Sequence, residues 1–108
     1  MHSVEFIETD IFTERIQEIL TDEEYSTLQA HLIRRPASGV VIPGGGGLRK
    51  VRWSSRGKGK RGGARILYYL YLSHQKIYMI YAFRKSEQAD LTREQLKSLA
   101  EYVKEGVL

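Results

Sequence analysis

The chain has 108 residues, 42% of them hydrophobic, and its 17 basic and 13 acidic side chains give a net charge of +4. This length suits a single domain over residues 1–108 with one hydrophobic core, and it excludes two domains of ordinary size. The sequence has no cysteine, which excludes disulfides, thiolate catalysis and cysteine-based zinc sites. No signal peptide pattern is visible and the apolar segments are only strand-sized, so we expect a cytoplasmic protein that does not contact a membrane.

The N-terminal third predicts one strand followed by two helices. Apolar residues alternate with polar ones from Val4, which predicts a short half-buried strand, and Asp10 is placed to cap the helix that follows. Thr21 and Glu24 have the spacing of a capping box, so a second helix is predicted to begin at Thr21. That helix ends before Pro36, because the residue before a proline disfavours the helical region.

The rest of the chain predicts three strands and a final helix. In the first of these strands, Val51 and Trp53 alternate with cations and share the face expected to meet the helices. Residues 66–72 and 77–83 are rich in isoleucine, leucine and tyrosine and predict a β-hairpin. A second capping box predicts a helix from Thr92. The expected fold is an α+β domain, with helices packed on one face of a small antiparallel sheet and basic residues on the other.

Charge is divided unevenly along the chain. Residues 25–86 contain 13 lysines and arginines and no carboxylate, and all 13 acidic residues lie outside this range. Eight of those cations fall in residues 44–65, GGGGLRKVRWSSRGKGKRGGAR. Surface charge that serves solubility is usually mixed in sign. The pattern therefore indicates a polyanionic ligand, and nucleic acid is the commonest one.

Other short motifs in the chain predict neither a nucleotide site nor a metal site. Residues 57–62 match G-x-G-x-x-G, but they lead into a strand, whereas the dinucleotide motif leads into a helix. The glycines at 44–47 lack the Gly-Lys-Ser/Thr ending of a phosphate-binding loop. The three histidines are widely spaced, so no metal and no other cofactor is predicted.

Three segments resemble the HigB-type branch of the RelE/ParE toxin superfamily. They are residues 46–52 (GGLRKVR), the loop GKGKRGG with Arg65 two residues beyond it, and residues 81–85 followed by Asp90 and Leu91. The resemblance covers nearly the whole chain. It implies a microbial RNase-like fold and a toxin that cuts messenger RNA in the ribosomal decoding site and is held inactive by a cognate antitoxin.

The resemblance also implies roles for individual residues. Lys58 and Lys60 correspond to the family's loop lysines, Arg65 to its strand arginine, and Lys85 to a cation after the last strand. Several RelE-type members stack a tyrosine on a base at the position where this chain has Leu91. Further RNA contacts are expected from the other cations of the basic region and one aromatic residue, namely Arg49, Lys50, Arg52, Arg56, Arg61, Tyr81 and Arg84.

RNA cleavage by the 2′-hydroxyl needs a base, stabilisation of the phosphorane charge and an acid for the leaving 5′-oxygen. Crowded cations lower the pKa of a lysine, so Lys60 is the candidate base and Lys58 the second. Arg65 would hold the phosphate through its planar fork, and we expect its removal to take no volume from the core. Lys85 or Arg84 would serve the leaving group.

Two other functions fit the same sequence. A gyrase poison of the ParE kind would share the fold but would not need an array of RNA-positioning cations. A non-catalytic RNA-binding module would present exposed aromatic rings for stacking on bases.

Overall fold

The computed structural model describes residues 3–56 and 63–107, and these residues form three α-helices and one five-stranded sheet. In chain order the elements are β1 (Glu5–Glu8), α1 (Asp10–Ile19), α2 (Asp22–Arg34), β2 (Val40–Val41), β3 (Arg49–Trp53), β4 (Ala64–Tyr71), β5 (Lys76–Arg84) and α3 (Arg93–Tyr102). Short 3₁₀ turns lie at Pro36–Ser38 and Leu72–His74, and a π-helical turn at Val103–Val107. Within the described ranges, every helix is too short or too polar to cross a membrane.

Both predicted capping boxes are present. The Thr21 hydroxyl accepts a hydrogen bond from the Glu24 amide (3.1 Å), and the Glu24 carboxylate accepts one from the Thr21 amide (2.8 Å). Thr92 and Gln95 repeat this arrangement at the start of α3. Each box satisfies amides that a helix N-terminus leaves without intrahelical partners, which is why these two starts could be predicted locally.

The start of α1 differs from the prediction by one residue. The N-cap is Thr9, whose hydroxyl accepts from the Phe12 amide at 3.0 Å, and Asp10 is the first helical residue. The same hydroxyl donates to the Ile80 carbonyl at 2.8 Å. This contact with β5 fixes Thr9 at the cap, while the Asp10 carboxylate still lies at the positive end of the helix dipole.

The α+β class is confirmed, but the sheet is mixed. Its strand order is β1-β5-β4-β3-β2, with β1 parallel to β5 and the remaining neighbours antiparallel. The prediction of a purely antiparallel sheet was wrong for β1. The chain leaves β1 through α1 and α2, so no tight turn joins β1 to a neighbouring strand. A hairpin turn would force antiparallel pairing, and β1 is not under that constraint.

Helices α1 and α2 cover one face of the sheet. Their buried side chains, including Phe12, Ile16 and Leu28, pack against alternate residues of the central strands such as Ile66 and Met79. Val51 and Trp53 belong to this cluster, so their predicted orientation toward the helices is confirmed.

Helix α3 covers part of the opposite face, which corrects the expectation that all helices share one face. Its Leu96 and Leu99 pack with Leu48, Ile80 and Val103 in a second cluster. Alternate side chains of a strand point to opposite faces. Strand β5 is apolar on both sides, so it offers α3 an apolar partner surface that α1 and α2 do not reach.

Candidate nucleic-acid interface

The register between β3 and β4 places Arg52 directly opposite Arg65. Side chains opposed across antiparallel strands lie on one face, and like charges in this position repel. The neighbouring pair, Val51 and Ile66, belongs to the α1/α2 core, so both arginines lie on the α3 side of the sheet. An anion bound between two guanidinium groups would relieve their repulsion, and this pair therefore marks a candidate anion site.

Arg65 is almost fully buried, with 5% of its surface exposed. This burial lowers the pKa of Arg65, the nearby Arg52 lowers it further, and Asp90 acts in the opposite direction. An arginine stays charged even so. One Arg65 guanidinium nitrogen donates to the Ala64 carbonyl at 3.3 Å. The expectation that Arg65 contributes no packing volume was wrong, because a strand position inside the sheet buries the aliphatic stem as well as carrying the charge.

Asp90 brings a carboxylate into the basic face. Its Oδ1 lies 3.0 Å from the Lys50 ammonium. The hydrogen bond from Lys50 lowers the pKa of Asp90 despite partial burial, and Lys85 lowers it further. This role of Asp90 was not predicted from the sequence. Its one local signal is that Asp90 stands two residues before the capping residue Thr92, and nothing in that spacing identifies a partner 40 residues away.

Lys85 lies next to the first residues of β4. Its amide donates to the Gly63 carbonyl at 2.9 Å, and its ammonium lies 3.4 Å from the Ala89 carbonyl. The Asp90 carboxylate contacts Lys50 directly and interacts electrostatically with Lys85 and Arg65. Three predicted site residues thus interact with one carboxylate.

Arg84 and Arg49 point away from this group. Arg84 is opposite Ala64, on the α1/α2 side, and its guanidinium donates to the Glu18 carbonyl and approaches Glu87 at 3.5 Å. Arg49 donates to the Gly39 carbonyl at 2.8 Å. Alternation along each strand explains both orientations, and Arg84 therefore does not share a face with Arg65.

Tyr81 is enclosed by other side chains. It is half-buried and pairs with Leu67 across the strands. The Arg15 guanidinium lies 5.1 Å from the centre of its ring, and the Phe83 ring centre is 6.3 Å away. Cation–π and aromatic contacts of this kind stabilise packing, so the structure gives Tyr81 a packing role on the α3 side of the sheet, with Arg15 of α1 beside its ring.

The predicted loop residues Lys58, Lys60 and Arg61 lie outside the described residues. The chain that leads into the loop is held at two points. The Ser55 hydroxyl donates to the Ile19 carbonyl at 2.5 Å, and the Arg56 amide donates to the Glu24 carboxylate at 2.6 Å. Arg56 has a left-handed backbone (φ 48°). Glu24 therefore caps α2 and also anchors the loop stem, a second role that the capping-box pattern does not reveal.

Between residues 3 and 56 and between 63 and 107, no group of three or more histidine, aspartate or glutamate side chains could hold a metal ion. In a comparison with protein-family models, residues 14–107 match the model described as the RelE toxin of the RelE/RelB toxin–antitoxin system. The matched range includes strands β2 to β5, helices α2 and α3 and every described residue of the candidate interface.

Proposed function

The chain belongs to the RelE toxin family and is the toxin of a toxin–antitoxin system, and from this premise we propose that it is an endoribonuclease of the HigB type that cuts messenger RNA on the ribosome. One observation carries the proposal. The buried Arg65 lies opposite Arg52, on the face that also carries Lys50. A buried arginine opposed to an exposed one is suited to one phosphate held in a fixed position.

The proposed reaction is an internal phosphoryl transfer. The RNA 2′-oxygen forms a bond to phosphorus, the bond to the 5′-oxygen breaks, and the products are a 2′,3′-cyclic phosphate and a 5′-hydroxyl. Arg65 and Arg52 offset the negative charge that accumulates on the phosphorane. The base that removes the 2′-proton is Lys60, or Lys58 in its place.

Lys85 is the preferred acid for the leaving 5′-oxygen. It shares Asp90 with Lys50 as an electrostatic neighbour, whereas the guanidinium of Arg84 is bonded to the Glu18 carbonyl on the other face. A lysine ammonium can also give up its proton, which an arginine does not do in proteins.

The contacts of the histidines support dependence on the ribosome. The two described histidines have other partners: His31 contacts Ser38 and Trp53, and His74 packs on Tyr71. A lysine base and an open phosphate site do not by themselves align the 2′-oxygen with the scissile bond. Alignment of reacting groups is worth about 7 to 11 kcal/mol, and a message held in the decoding site would receive that alignment from the ribosome.

The test compares cleavage of one message with and without initiated ribosomes, mapped by primer extension. We expect cuts at codons in the decoding site and little cleavage of the free message. Equal rates and positions in both samples would refute ribosome dependence. Absence of cleavage in both would favour a gyrase poison or a non-catalytic RNA-binding module, and gyrase inhibition and RNA affinity would then be measured separately.

The cognate antitoxin is proposed to cover the basic face with acidic residues. The sequence from residue 25 to 86 contains no carboxylate, so this segment contributes only positive charge to the face, which Asp90 offsets at Lys50. Affinity that depends on exposed charges falls as salt rises. We expect the dissociation constant of the complex to increase steeply between low and high salt, and a constant value would indicate docking elsewhere.

A further inference from the structure

The ion pair between Lys50 and Asp90 lies inside the surface proposed to bind RNA. Asp90 belongs to the segment between β5 and α3, and its side chain is 62% exposed, against 27% for Lys50. Carboxylates and phosphates bind the same donors, because both present several anionic oxygens to ammonium and guanidinium groups. The pair therefore resembles a complex between the site and an internal anion.

We propose that the Asp90 carboxylate occupies the position of an RNA phosphate in the free protein and must leave Lys50 when the substrate binds. The inference rests on the proposed function, since it identifies what the substrate displaces. Asp90 also interacts electrostatically with Arg65 and Lys85. A single carboxylate thus partly neutralises three cations that would otherwise bind anions from solution.

The backbone of Asp90 is fixed by a contact that does not involve its carboxylate. The Gln88 side-chain amide donates to the Asp90 carbonyl at 2.8 Å and to the Gln95 side chain at 2.9 Å. Gln95 in turn belongs to the capping box of α3. The carboxylate is held by Lys50 and by the Leu91 amide at 2.8 Å. A rotation of the exposed side chain therefore vacates Lys50 without moving the helix.

The ion pair between Lys50 and Asp90 is weak enough for an RNA phosphate to replace the carboxylate. Ion pairs with exposed partners change an equilibrium constant by about fivefold at most. An RNA strand meets several cations of the face together, and it can displace a competitor of that strength. A small anion that meets only one cation gains little beyond what Asp90 already supplies, so the carboxylate favours polyanions over small ions.

The experiment measures the affinity of the purified protein for a labelled single-stranded RNA with 2′-O-methyl sugars, which cannot be cut by its own 2′-oxygen. Asp90→Asn keeps the shape of the side chain and an acceptor for the Leu91 amide but removes the charge. We expect it to bind the RNA about two- to fivefold more tightly than the wild type. Thermal unfolding of both proteins checks that the fold is unchanged.

Glu94→Gln is the matched control. It removes the same charge four residues further on, from the groove that α3 forms with Ile11 and Tyr81, and we expect its affinity to equal that of the wild type. An equal gain in Glu94→Gln would show a general charge effect and would overturn the inference. Wild-type affinity in Asp90→Asn, or no binding by either protein, would also overturn it.

A second arm asks whether the gain passes through Lys50. In a Lys50→Gln background, Asp90→Asn should bring a smaller gain than in the wild type, because its direct ionic partner is gone and only the weaker interactions with Arg65 and Lys85 remain. An undiminished gain there would contradict the exchange. The outcome is separable from the proposed function. If Asp90→Asn binds RNA more tightly but the protein does not cleave messages on ribosomes, the displacement of Asp90 is supported and the nuclease function is refuted. If the protein cleaves on ribosomes but Asp90→Asn binds RNA no more tightly, the nuclease function is supported and the displacement is refuted.

Discussion

The two faces of the sheet use the same strands in opposite ways. On the α1/α2 face, Ala64, Ile66 and Tyr68 of β4 are fully buried in a continuous apolar cluster. On the other face, the residue between the first two is Arg65, which lies opposite Arg52. The first face is closed by two helices, while α3 closes the second one only around its own apolar cluster.

This difference shows how a small domain can hold a strongly charged site next to its core. Alternation at every second residue separates the two, so a substitution on one face leaves the contacts of the other in place. The neighbours Arg65 and Ile66 give the clearest comparison. They are adjacent in β4, but Arg65 faces the candidate site and Ile66 faces the core.

The largest expected effect is on Arg65. Arg65→Ala should lower ribosome-dependent cleavage about 100- to 1000-fold, since it removes a preorganised charge from the transition state. Arg65→Lys should recover only part of the rate, because a lysine keeps the charge but not the planar fork. Cleavage rates on initiated ribosomes, with thermal unfolding alongside, give the measurement. Arg34→Ala, at an exposed position of α2, is the control, and equal activity in Arg65→Ala and Arg34→Ala would contradict the site.

The next comparison sets Lys85 against Arg84, adjacent residues on opposite sides. If Lys85 protonates the leaving group, Lys85→Ala should lower cleavage about 100-fold. Arg84→Ala should lower it far less, because Arg84 contacts Glu18 and Glu87 on the α1 side. The same ribosome assay measures both variants. If Arg84→Ala lowers the cleavage rate more than Lys85→Ala does, the assignment of Lys85 to the site and of Arg84 to the α1 side is wrong.

A smaller effect tests the core face. Ile66→Val should cost about 0.5 to 1.5 kcal/mol of unfolding free energy, the usual cost of removing one buried methyl group. Its rate of cleavage should equal that of the wild type, since the removed group lies on the α1/α2 side. Urea unfolding gives the free energy. Ile33→Val, at a half-exposed position, is expected to cost much less. A large loss of activity in a folded Ile66→Val protein would show that the faces are coupled.

The smallest effect concerns the loop stem at Glu24. Burial raises the pKa of Glu24, but hydrogen bonds from the Thr21 and Arg56 amides outweigh it and hold that pKa below the ordinary 4.5. The folded state therefore favours the charged form. Its contribution is present above the pKa of the unfolded chain and is lost as pH falls through the lower folded value.

Glu24→Gln keeps the capping geometry but removes the charge, and it should cost about 0.3 to 1 kcal/mol at pH 7. Urea unfolding at pH 7 and at pH 3 should show this difference shrinking in acid, because the wild type is then losing its charge as well. Glu23→Gln, at an exposed position in the same helical turn, is the control. A difference that does not change with pH would show that the Glu24 charge has no part in holding the stem.

Signals that act within four residues predicted most of the elements. The capping boxes at Thr21 and Thr92 fixed two helix starts, and alternation assigned Val51 to the core and Arg52 to the opposite face. The cap of α1 was misplaced by one residue, because Thr9 is held by the Ile80 carbonyl of a strand 71 residues away. Local spacing cannot identify the N-cap where a contact with a distant strand selects between two neighbouring residues.

What the sequence determined by itself is therefore the local structure and the concentration of charge: the capped helices, the two-residue period of the strands, and a basic centre without carboxylates. Only the tertiary structure decided how these parts meet. The register that opposes Arg52 to Arg65, the parallel pairing of β1, the position of α3 on the second face and the approach of Asp90 to Lys50 all join residues distant in the chain. Such contacts depend on how all the elements pack together, because each strand can pair in several registers until the burial of both faces selects one.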